Sequence, residues 1–197
     1  KALITSPAGY EMPTWMKPRI DGARALLYET ARFVDVYKSY GIVAEHRKLD
    51  SDERNDQKNY QKLADMFTPL LKLISSEYSN EIAYDALQVH GGTGFMKDFP
   101  IERIYRDARI TSIYEGTSQL QVVAAIRGVV SGIYLKAIAD YEAIPLHHDF
   151  DYLKKTLVAM TGQYEEVVKR VEDVKDGELL DFHARRLVEM AGNIIIG

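Results

Sequence analysis

Apolar residues recur at intervals of three and four along most of the 197-residue chain. This spacing places them on one face of an α-helix, and no segment shows the sustained alternation that is typical of a β-strand. We therefore expect an all-α fold, in which an up-and-down helical bundle is followed by a C-terminal helical hairpin. The main helices predicted from these stripes cover residues 14–46, 57–92, 118–140, 153–174 and 180–194.

Charged and helix-breaking residues predict where these helices end. Residues 48–56 are polar and highly charged, so we expect a surface connection there. Pro69 lacks a backbone donor and is expected to kink or divide the second helix, and Gly91 with Gly92 is expected to end it. Residues 141–150 contain a proline and two histidines and predict a further break.

The segment over residues 93–116 is short, mixed and punctuated by glycine and proline, which predicts loops around a short helix near 100–108. Ser118 and Gln121 then show the S-x-x-Q spacing of a capping box, so the next helix is expected to begin at Ser118. Glu115 consequently lies just before a helix N-terminus.

The charge balance and the residue types present exclude several functions. With 25 basic and 29 acidic residues the net charge is −4, so the chain lacks the broad basic surface that a nucleic acid or an anionic membrane requires. No apolar run approaches the roughly 18 residues of a membrane helix. The absence of cysteine excludes disulfides, thiolate metal ligands and a cysteine nucleophile. We expect a soluble protein with no membrane span and no nucleic-acid partner, in the bacterial cytoplasm rather than the mitochondrial matrix.

Two local patterns could form a ligand site, and each also has a purely structural explanation. Three glycines in QVHGGTGF (88–95) would let a backbone approach a ligand closely, but no strand precedes them and a helix stop also explains them. Arg103, Arg106 and Arg109 lie on one helical side, where Glu102 is placed to pair with Arg106. For both patterns the structural explanation is favoured.

Glu115 is the third candidate. A carboxylate in front of a helix N-terminus is favoured by the helix dipole, so simple capping is one explanation of this residue. Ile113 and Tyr114 are apolar, however, and Gly116 leaves room for another molecule, which is a setting in which a poorly solvated carboxylate becomes a stronger base. The spacing alone leaves capping and base catalysis equally open.

The histidines give weaker signals. His147 and His148 are adjacent and are expected to point in different directions, and no other histidine lies at ligand spacing. We therefore expect no metal site. His90, beside a glycine, is expected to be a helix-end residue.

The run EIAYDALQVHGGTGFMKDFPIERIYRDARITSIYEGTSQLQ (81–121) strongly resembles the C-terminal signature of acyl-CoA dehydrogenases. These flavoproteins introduce a trans double bond between Cα and Cβ of an acyl-CoA thioester. The shared motifs are Q-x-x-G-G-x-G-[FY], D-x-P, R-D-A-R-I and I-Y-E-G-T-x-x-x-Q, in that order. RIDGARALLYETARFVD (19–35) is similar to the first helix of the same domain, which the family builds as an up-and-down helical bundle.

The resemblance implies a domain organisation. Residues 10–140 are expected to form the family's C-terminal bundle, and residues 141–197 resemble a truncated form of the extra helical region of larger members, for which packing or oligomerisation is the expected role. Because the chain opens on Lys1 and closes on an apolar run, we expect a fragment of a longer protein. The family's other domains provide most of the flavin and acyl-CoA contacts, so the fragment alone is expected to be inactive and to lack FAD.

The resemblance also implies roles for individual residues. Glu115 matches the base that removes the α-proton of the acyl-CoA, and Tyr114 and Gly116 match positions beside the substrate. Thr117, Ser118 and Gln119 match positions that touch FAD. Contacts to the FAD of a neighbouring subunit are implied for Gln88, Val89, His90, Gly91 and Gly92.

Partners and alternatives follow from the same family. The expected partners are the acyl-CoA substrate, an electron-transfer flavoprotein and further copies of the chain, in a homo-oligomer of two or four subunits. An acyl-CoA oxidase or a related flavoenzyme would share the same fold. A non-catalytic structural or oligomerisation domain is the remaining alternative, although the presence of Glu115 argues against simple loss of activity.

Overall fold

The structure is a computed structural model that describes residues 7–197, and within this range it contains seven α-helices and no β-strand. The expectation of an all-α fold is therefore confirmed. Two short 3-10 turns, Gly91–Phe95 and His148–Phe150, lie between helices. The helices are α1 (Pro7–His46), α2 (Ser51–His90), α3 (Ile101–Thr111), α4 (Ser118–Val130), α5 (Ile133–Glu142), α6 (Asp151–Asp173) and α7 (Gly177–Ile196).

Helix α2 begins earlier than the sequence predicted. The surface connection expected over 48–56 was wrong, because the side chain of Asp50 accepts a hydrogen bond from Glu53 N at 2.9 Å and Glu53 accepts one from Asp50 N at 3.0 Å. This reciprocal capping box starts α2 at Ser51, although its first turns carry few apolar residues. Arg47 donates to Glu53 at 2.7 Å and ties the end of α1 to the start of α2.

Helix α2 also runs through Pro69 without a break, so of the kink or division expected at this residue the division was wrong, and the kink stays a prediction. Pro69 is buried, and its neighbours Phe67 and Leu70 are fully buried in the core. Packing on both sides of the proline therefore keeps the helix continuous despite the missing backbone donor. The expected end was confirmed: α2 stops at His90, and Gly91 has a φ of 60°.

The single helix predicted over 118–140 is in fact two helices, α4 and α5, which are bent by 68° relative to each other. The chain turns at Gly132, whose φ of 70° favours glycine. Tyr134 then packs so closely on Gly128 that a Cβ there would lie 2.4 Å from its ring, and its hydroxyl donates to Met66 O at 2.7 Å. These contacts fix α5 against α4 and α2.

The N-terminus of α4 is capped by Thr117 instead of Ser118. The hydroxyl of Thr117 accepts a hydrogen bond from Leu120 N at 3.4 Å, and Ser118 is the first helical residue. The S-x-x-Q capping box predicted for Ser118 and Gln121 was therefore wrong by one residue. Thr117 and Ser118 both carry the hydroxyl that an N-cap uses, so the sequence alone allowed either register.

The predicted C-terminal hairpin is formed by α6 and α7, and it shares one core with the other helices. Phe67 packs edge-on against Phe33 and Tyr134, with ring centres 5.1 and 5.6 Å away. Tyr164 of α6 and Leu187 of α7 are buried in the same cluster. Helix α7 also crosses α2 closely, because a Cβ on Gly192 would lie 2.2 Å from Ile74 Cδ1.

No single helix among the described residues is long and apolar enough to cross a membrane. Helices α4 and α5 together have the length and composition of a membrane-spanning segment, but a bend of 68° separates them. Both contribute buried side chains to the core.

Candidate active site

Glu115 lies on a short loop, residues 112–117, which connects α3 to α4. We call this segment the base loop. Its two ends are joined by a hydrogen bond from Ser118 N to Ser112 O at 3.1 Å. The N–H groups of Ile113 and Tyr114 donate to Ile110 O at 2.9 and 3.0 Å. The base loop is therefore a compact turn whose first half continues the hydrogen bonding of α3.

The backbone of Glu115 is in the left-handed region, with a φ of 50°. Among the described residues, only Lys175 is another non-glycine with positive φ. The left-handed conformation costs a non-glycine residue about 1–2 kcal/mol. Strain of this kind persists where the surrounding structure holds the residue in place, and it is common at functional sites.

The side chain of Glu115 is exposed, whereas α4 is already capped by Thr117. The simple capping role that the sequence allowed for Glu115 is thus filled by another residue. Glu115 is instead exposed on a turn with left-handed backbone, and its sequence neighbour Tyr114 is exposed as well. An exposed carboxylate on this loop is accessible to a ligand.

Lys72 of α2 contacts the base loop and the residue that precedes it. Its ammonium group donates to Thr111 O and to Gly116 O, the latter at 3.5 Å, and lies 4.9 Å from the centre of the Tyr114 ring. One cation therefore contacts the chain on both sides of Glu115. Lys72 was not predicted from the sequence, where its only local signal is a lone lysine inside the apolar run LLKLI.

Gln121 holds the same loop from the side of α4. Its amide nitrogen donates to Glu115 O at 3.3 Å and to Gly116 O at 3.4 Å. Gly116 has a φ of 99°, and a Cβ there would lie 2.7 Å from Gln121 Nε2. The backbone conformation therefore favours glycine at position 116, and a larger residue there would also have to displace the end of the Gln121 side chain.

The three residues predicted to touch a flavin at the start of α4 have different surroundings. Thr117 and Gln119 are exposed, whereas Ser118 is buried. The hydroxyl of Ser118 donates to Glu77 of α2, and its N–H donates to Ser112 O. Both hydrogen-bond donors of Ser118 are thus used within the chain, and a flavin-binding role for these residues stays a prediction.

The other set of predicted flavin contacts lies at the end of α2. Gln88, His90, Gly91 and Gly92 are exposed, and Val89 is half-buried. A Cβ added at either glycine would meet nothing within 4 Å, so the surface there is open. His90 is the expected helix-end histidine, since its Nδ1 lies 2.8 Å from Ala86 O.

The structure does not bring the Gln88–Gly92 segment together with the base loop. Lys72, which contacts the loop, and Gln88 are separated by 16 positions on the continuous helix α2. At 1.5 Å per residue this is a distance of about 24 Å along the helix axis. Each chain therefore carries two separate candidate surfaces.

The remaining candidates from the sequence are structural in this fold or stay open. Arg106 pairs with Glu102 at 3.0 Å, as predicted, and Arg109 donates to the hydroxyl of Ser112 at the start of the base loop. Arg103 is exposed.

The two adjacent histidines differ from the prediction. Their rings lie 4.2 Å apart, and His147 and His148 both reach Asp149, at 3.2 and 3.1 Å. The expectation that they point in different directions was wrong, because the short 3-10 turn at His148–Phe150 brings the three side chains together. Their ligand atoms lie within 4.8 Å of one another, and all three residues are exposed. The expectation of no metal site stays a prediction.

Two models of known protein families together match the whole chain. A family model described as "Acyl-CoA dehydrogenase, C-terminal domain" matches residues 1–129, and one described as "Acyl-CoA dehydrogenase C terminal" matches residues 130–197. The first match alone includes more than half of the chain.

Several curated proteins are similar in sequence. The chain is 36% identical over 121 residues to the caffeyl-CoA reductase-Etf complex subunit CarC of Acetobacterium woodii, which covers 61% of this chain and 24% of that protein. It is 45% identical over 84 residues to the mitochondrial short-chain specific acyl-CoA dehydrogenase of Bos taurus, which covers 43% and 18%. It is 52% identical over 61 residues to the acryloyl-CoA reductase (NADH) of Anaerotignum propionicum, which covers 31% and 16%. The chain thus spans less than a quarter of the length of each relative.

A solved structure supports the fold. The structure of Caenorhabditis elegans ACDH-11 in complex with C11-CoA matches 98% of this chain and 32% of its own chain, with a TM-score of 0.74 at 18% identity. The family matches, the motif around Glu115 and the helical fold agree with one another, and the chain belongs to the acyl-CoA dehydrogenase family as a C-terminal helical region.

Proposed function

We propose that this chain supplies the catalytic base of a flavin-dependent acyl-CoA dehydrogenase, and that the base is Glu115. The observation that carries the proposal is the setting of this residue. An exposed carboxylate is held in a strained left-handed backbone on a loop that Lys72 and Gln121 fix from two sides. Such a strained and anchored position is typical of a functional group.

The chemistry requires a base of this kind. The α-C–H of a thioester is a very weak acid, so the carboxylate must be positioned against it and shielded from water when the substrate binds. In the proposed step the α-proton passes to the carboxylate of Glu115 as a hydride leaves Cβ. Gly116 leaves space for the thioester, and the exposed ring of Tyr114 offers an apolar wall against which the acyl chain excludes water.

The residues at the start of α4 fit a flavin cofactor. FAD, when bound, accepts the hydride from Cβ. Thr117 and Gln119 present exposed polar side chains at a helix N-terminus, where the dipole and the first N–H groups favour electron-rich and anionic ligand groups. We assign these two side chains to FAD of the same subunit, and we assign Ser118, whose two donors are used within the chain, to holding the start of α4 in place.

The open surface over Gln88–Gly92 is assigned to FAD of a neighbouring subunit. Lys72, which contacts the base loop, and Gln88 are about 24 Å apart along α2, and this separation supports the assignment. Two distinct surfaces in one chain suit contacts to two cofactors. The proposal therefore includes a homo-oligomer of two or four copies.

The names of two relatives bear on electron transfer. CarC is named as a subunit of a complex with Etf, which supports an electron-transfer flavoprotein as the partner of this protein. CarC and the acryloyl-CoA enzyme are named reductases, which favours reduction of an enoyl-CoA as a second candidate function. The same residue serves both directions, since protonated Glu115 would return the proton to Cα.

The test uses the full-length protein with its bound flavin. It is mixed anaerobically with acyl-CoAs of graded chain length, and loss of the oxidised flavin absorbance is followed. Glu115→Gln is expected to keep the flavin and to slow its reduction by about 10² to 10⁴. Glu165→Gln, at an exposed position on α6, is the matched control and is expected to react normally.

Two results would overturn the proposal. If no acyl-CoA reduces the flavin and no enoyl-CoA reoxidises it, the protein is not an enzyme of this reaction in either direction. If Glu115→Gln reacts as fast as the unmodified protein, the base is another residue. Reoxidation by oxygen instead of an electron-transfer flavoprotein would identify an oxidase.

A further inference from the structure

Three helices meet behind the base loop through charged and polar side chains. Ser118, the first residue of α4, donates its hydroxyl to Oε1 of Glu77 on α2. The same carboxylate oxygen lies 3.5 Å from Nη2 of Arg185 on α7. Glu77 thus connects the start of α4 to the C-terminal hairpin.

Arg185 is held between two carboxylates. Its Nε donates to Glu189 Oε1 at 2.8 Å, while its other side faces Glu77. Burial acts to lower the pKa of Arg185, but the hydrogen bonds and charges of Glu189 and Glu77 outweigh it, so its pKa is raised above the ordinary value. The guanidinium is therefore a fixed positive charge beside Glu77. The side chain of Glu77 is about two-thirds shielded from solvent.

The position of Ser118 controls the end of the base loop. Ser118 follows Glu115 by three residues, and its N–H closes the loop onto Ser112 O at 3.1 Å. Lys72 contacts the loop at Thr111 and Gly116, so it does not fix the segment beyond Gly116. That segment is held by the N–H of Ser118 on Ser112 O and by the hydroxyl contact of Ser118 with Glu77.

We propose that Arg185 is a positioning residue, through which the C-terminal hairpin holds the base loop. By attracting one oxygen of Glu77, Arg185 keeps this carboxylate in place as the acceptor for Ser118, and Ser118 in turn anchors the loop that carries Glu115. The catalytic consequence rests on the proposed function, whereas the effect on the loop does not. Helix α7 thereby has a role in the site although it contributes no residue to the base loop.

The chain offers a matched control at the next position. Arg186 is also on α7, but its guanidinium lies 5.4 Å above the ring of Phe182 instead of beside Glu77. Arg186→Gln removes the same charge from the same helix. A general effect of surface charge or helix stability would therefore appear in both variants, and a positioning effect only in Arg185→Gln.

The first experiment measures the loop directly, by amide hydrogen exchange in the full-length protein. Arg185→Gln is expected to speed exchange across residues 112–118 by roughly threefold to tenfold, as expected for loss of a charged hydrogen-bonding partner. Arg186→Gln should leave this exchange unchanged, and Arg185→Lys should restore most of the protection. Exchange in Arg185→Gln equal to that of the unmodified protein would overturn the inference, whatever the activity.

The second experiment separates positioning from binding. In Arg185→Gln, the rate of flavin reduction at saturating acyl-CoA should fall by roughly threefold to tenfold, with flavin content and KM unchanged. In a Glu77→Gln background, where the amide still accepts from Ser118, Arg185→Gln should have no further effect. Additive effects of the two changes would contradict a coupled contact.

The two experiments distinguish this inference from the proposed function. Faster loop exchange in Arg185→Gln together with normal reduction in Glu115→Gln would reject Glu115 as the base and keep the role of α7. Unchanged loop exchange together with slow reduction in Glu115→Gln would reject the role of Arg185 and keep the base.

Discussion

The ammonium group of Lys72 lies 4.9 Å from the centre of the Tyr114 ring, and it also donates to Gly116 O. These contacts place one lysine against both sequence neighbours of Glu115. A cation over an aromatic ring contributes about 0.5–2 kcal/mol, and a hydrogen bond from a charged donor contributes about 1.5–3 kcal/mol. Lys72 is therefore a main support of the base loop.

Lys72→Met should weaken this support while keeping a long unbranched side chain at the position. We expect flavin reduction to slow by about tenfold and the free energy of unfolding to fall by about 1–2 kcal/mol. Rapid mixing and urea titration measure the two effects. Lys62→Met, at an exposed position of the same helix, is the control, and equal rates in both variants would contradict the role of Lys72.

Glu115→Gly should make the protein more stable while removing the proposed base. The change relieves a left-handed strain of about 1–2 kcal/mol. The greater freedom of glycine in the unfolded chain destabilises the fold by about 0.5–1 kcal/mol and offsets part of this gain. We expect a net gain of about 0.5–1 kcal/mol in urea titrations. Lys175→Gly, with a φ of 55° in the turn between α6 and α7, should give a similar gain and retain activity. A loss of stability in both variants would show that the backbone is unstrained.

Tyr164→Phe and Tyr134→Phe should change stability in opposite directions. Both phenols are fully buried, and burial raises the pKa of each. The hydroxyl of Tyr164 has no hydrogen-bond partner within the described residues, whereas that of Tyr134 donates to Met66 O at 2.7 Å. Removing an unsatisfied buried hydroxyl should add about 1 kcal/mol to the unfolding free energy, and removing the bonded one should subtract about 1 kcal/mol. Thermal unfolding of the two variants side by side checks this difference, and losses of equal size would contradict it.

Glu53→Gln should reduce stability in a pH-dependent way. The hydrogen bond from Arg47, followed by that from Asp50 N, lowers the pKa of Glu53 from 4.5 to about 2. A lowered folded-state pKa stabilises the fold above the unfolded value and loses this effect as the pH falls through the folded value. The difference in unfolding free energy between the two proteins should therefore be largest above pH 4.5 and shrink between pH 4.5 and 2. Denaturation at several pH values measures it, and a difference that does not change over this interval would contradict the ion pair.

The long helices could be predicted from the sequence because their apolar stripes extend over many turns. The prediction of 153–174 for α6 and 180–194 for α7 lies close to the observed Asp151–Asp173 and Gly177–Ile196. The start of α2 was missed, since its first turns are polar and only the Asp50 and Glu53 pair marks the cap. The continuity at Pro69 could not be predicted, because it depends on tertiary packing.

The candidate site was predictable where its residues are contiguous. Tyr114, Glu115 and Gly116 lie in one recognisable motif. Lys72 and Glu77 reach the same region from 39 and 41 positions away from their partners, and Arg185 lies further along the chain. Contacts between such distant positions leave no periodic pattern in a single sequence, so only the fold shows them.

Tyr164 and Leu187 of the hairpin lie in one buried cluster with Phe67 and Val122. This cluster couples the stability of the hairpin to that of the other helices. Helices that pack into one core melt in one cooperative transition, so the hairpin and the base loop gain or lose order together. A substitution in α6 or α7 that alters stability therefore alters the fraction of molecules in which Glu115 is correctly placed. Under the proposed function, natural selection on activity therefore also acts on helices that take no part in the chemistry.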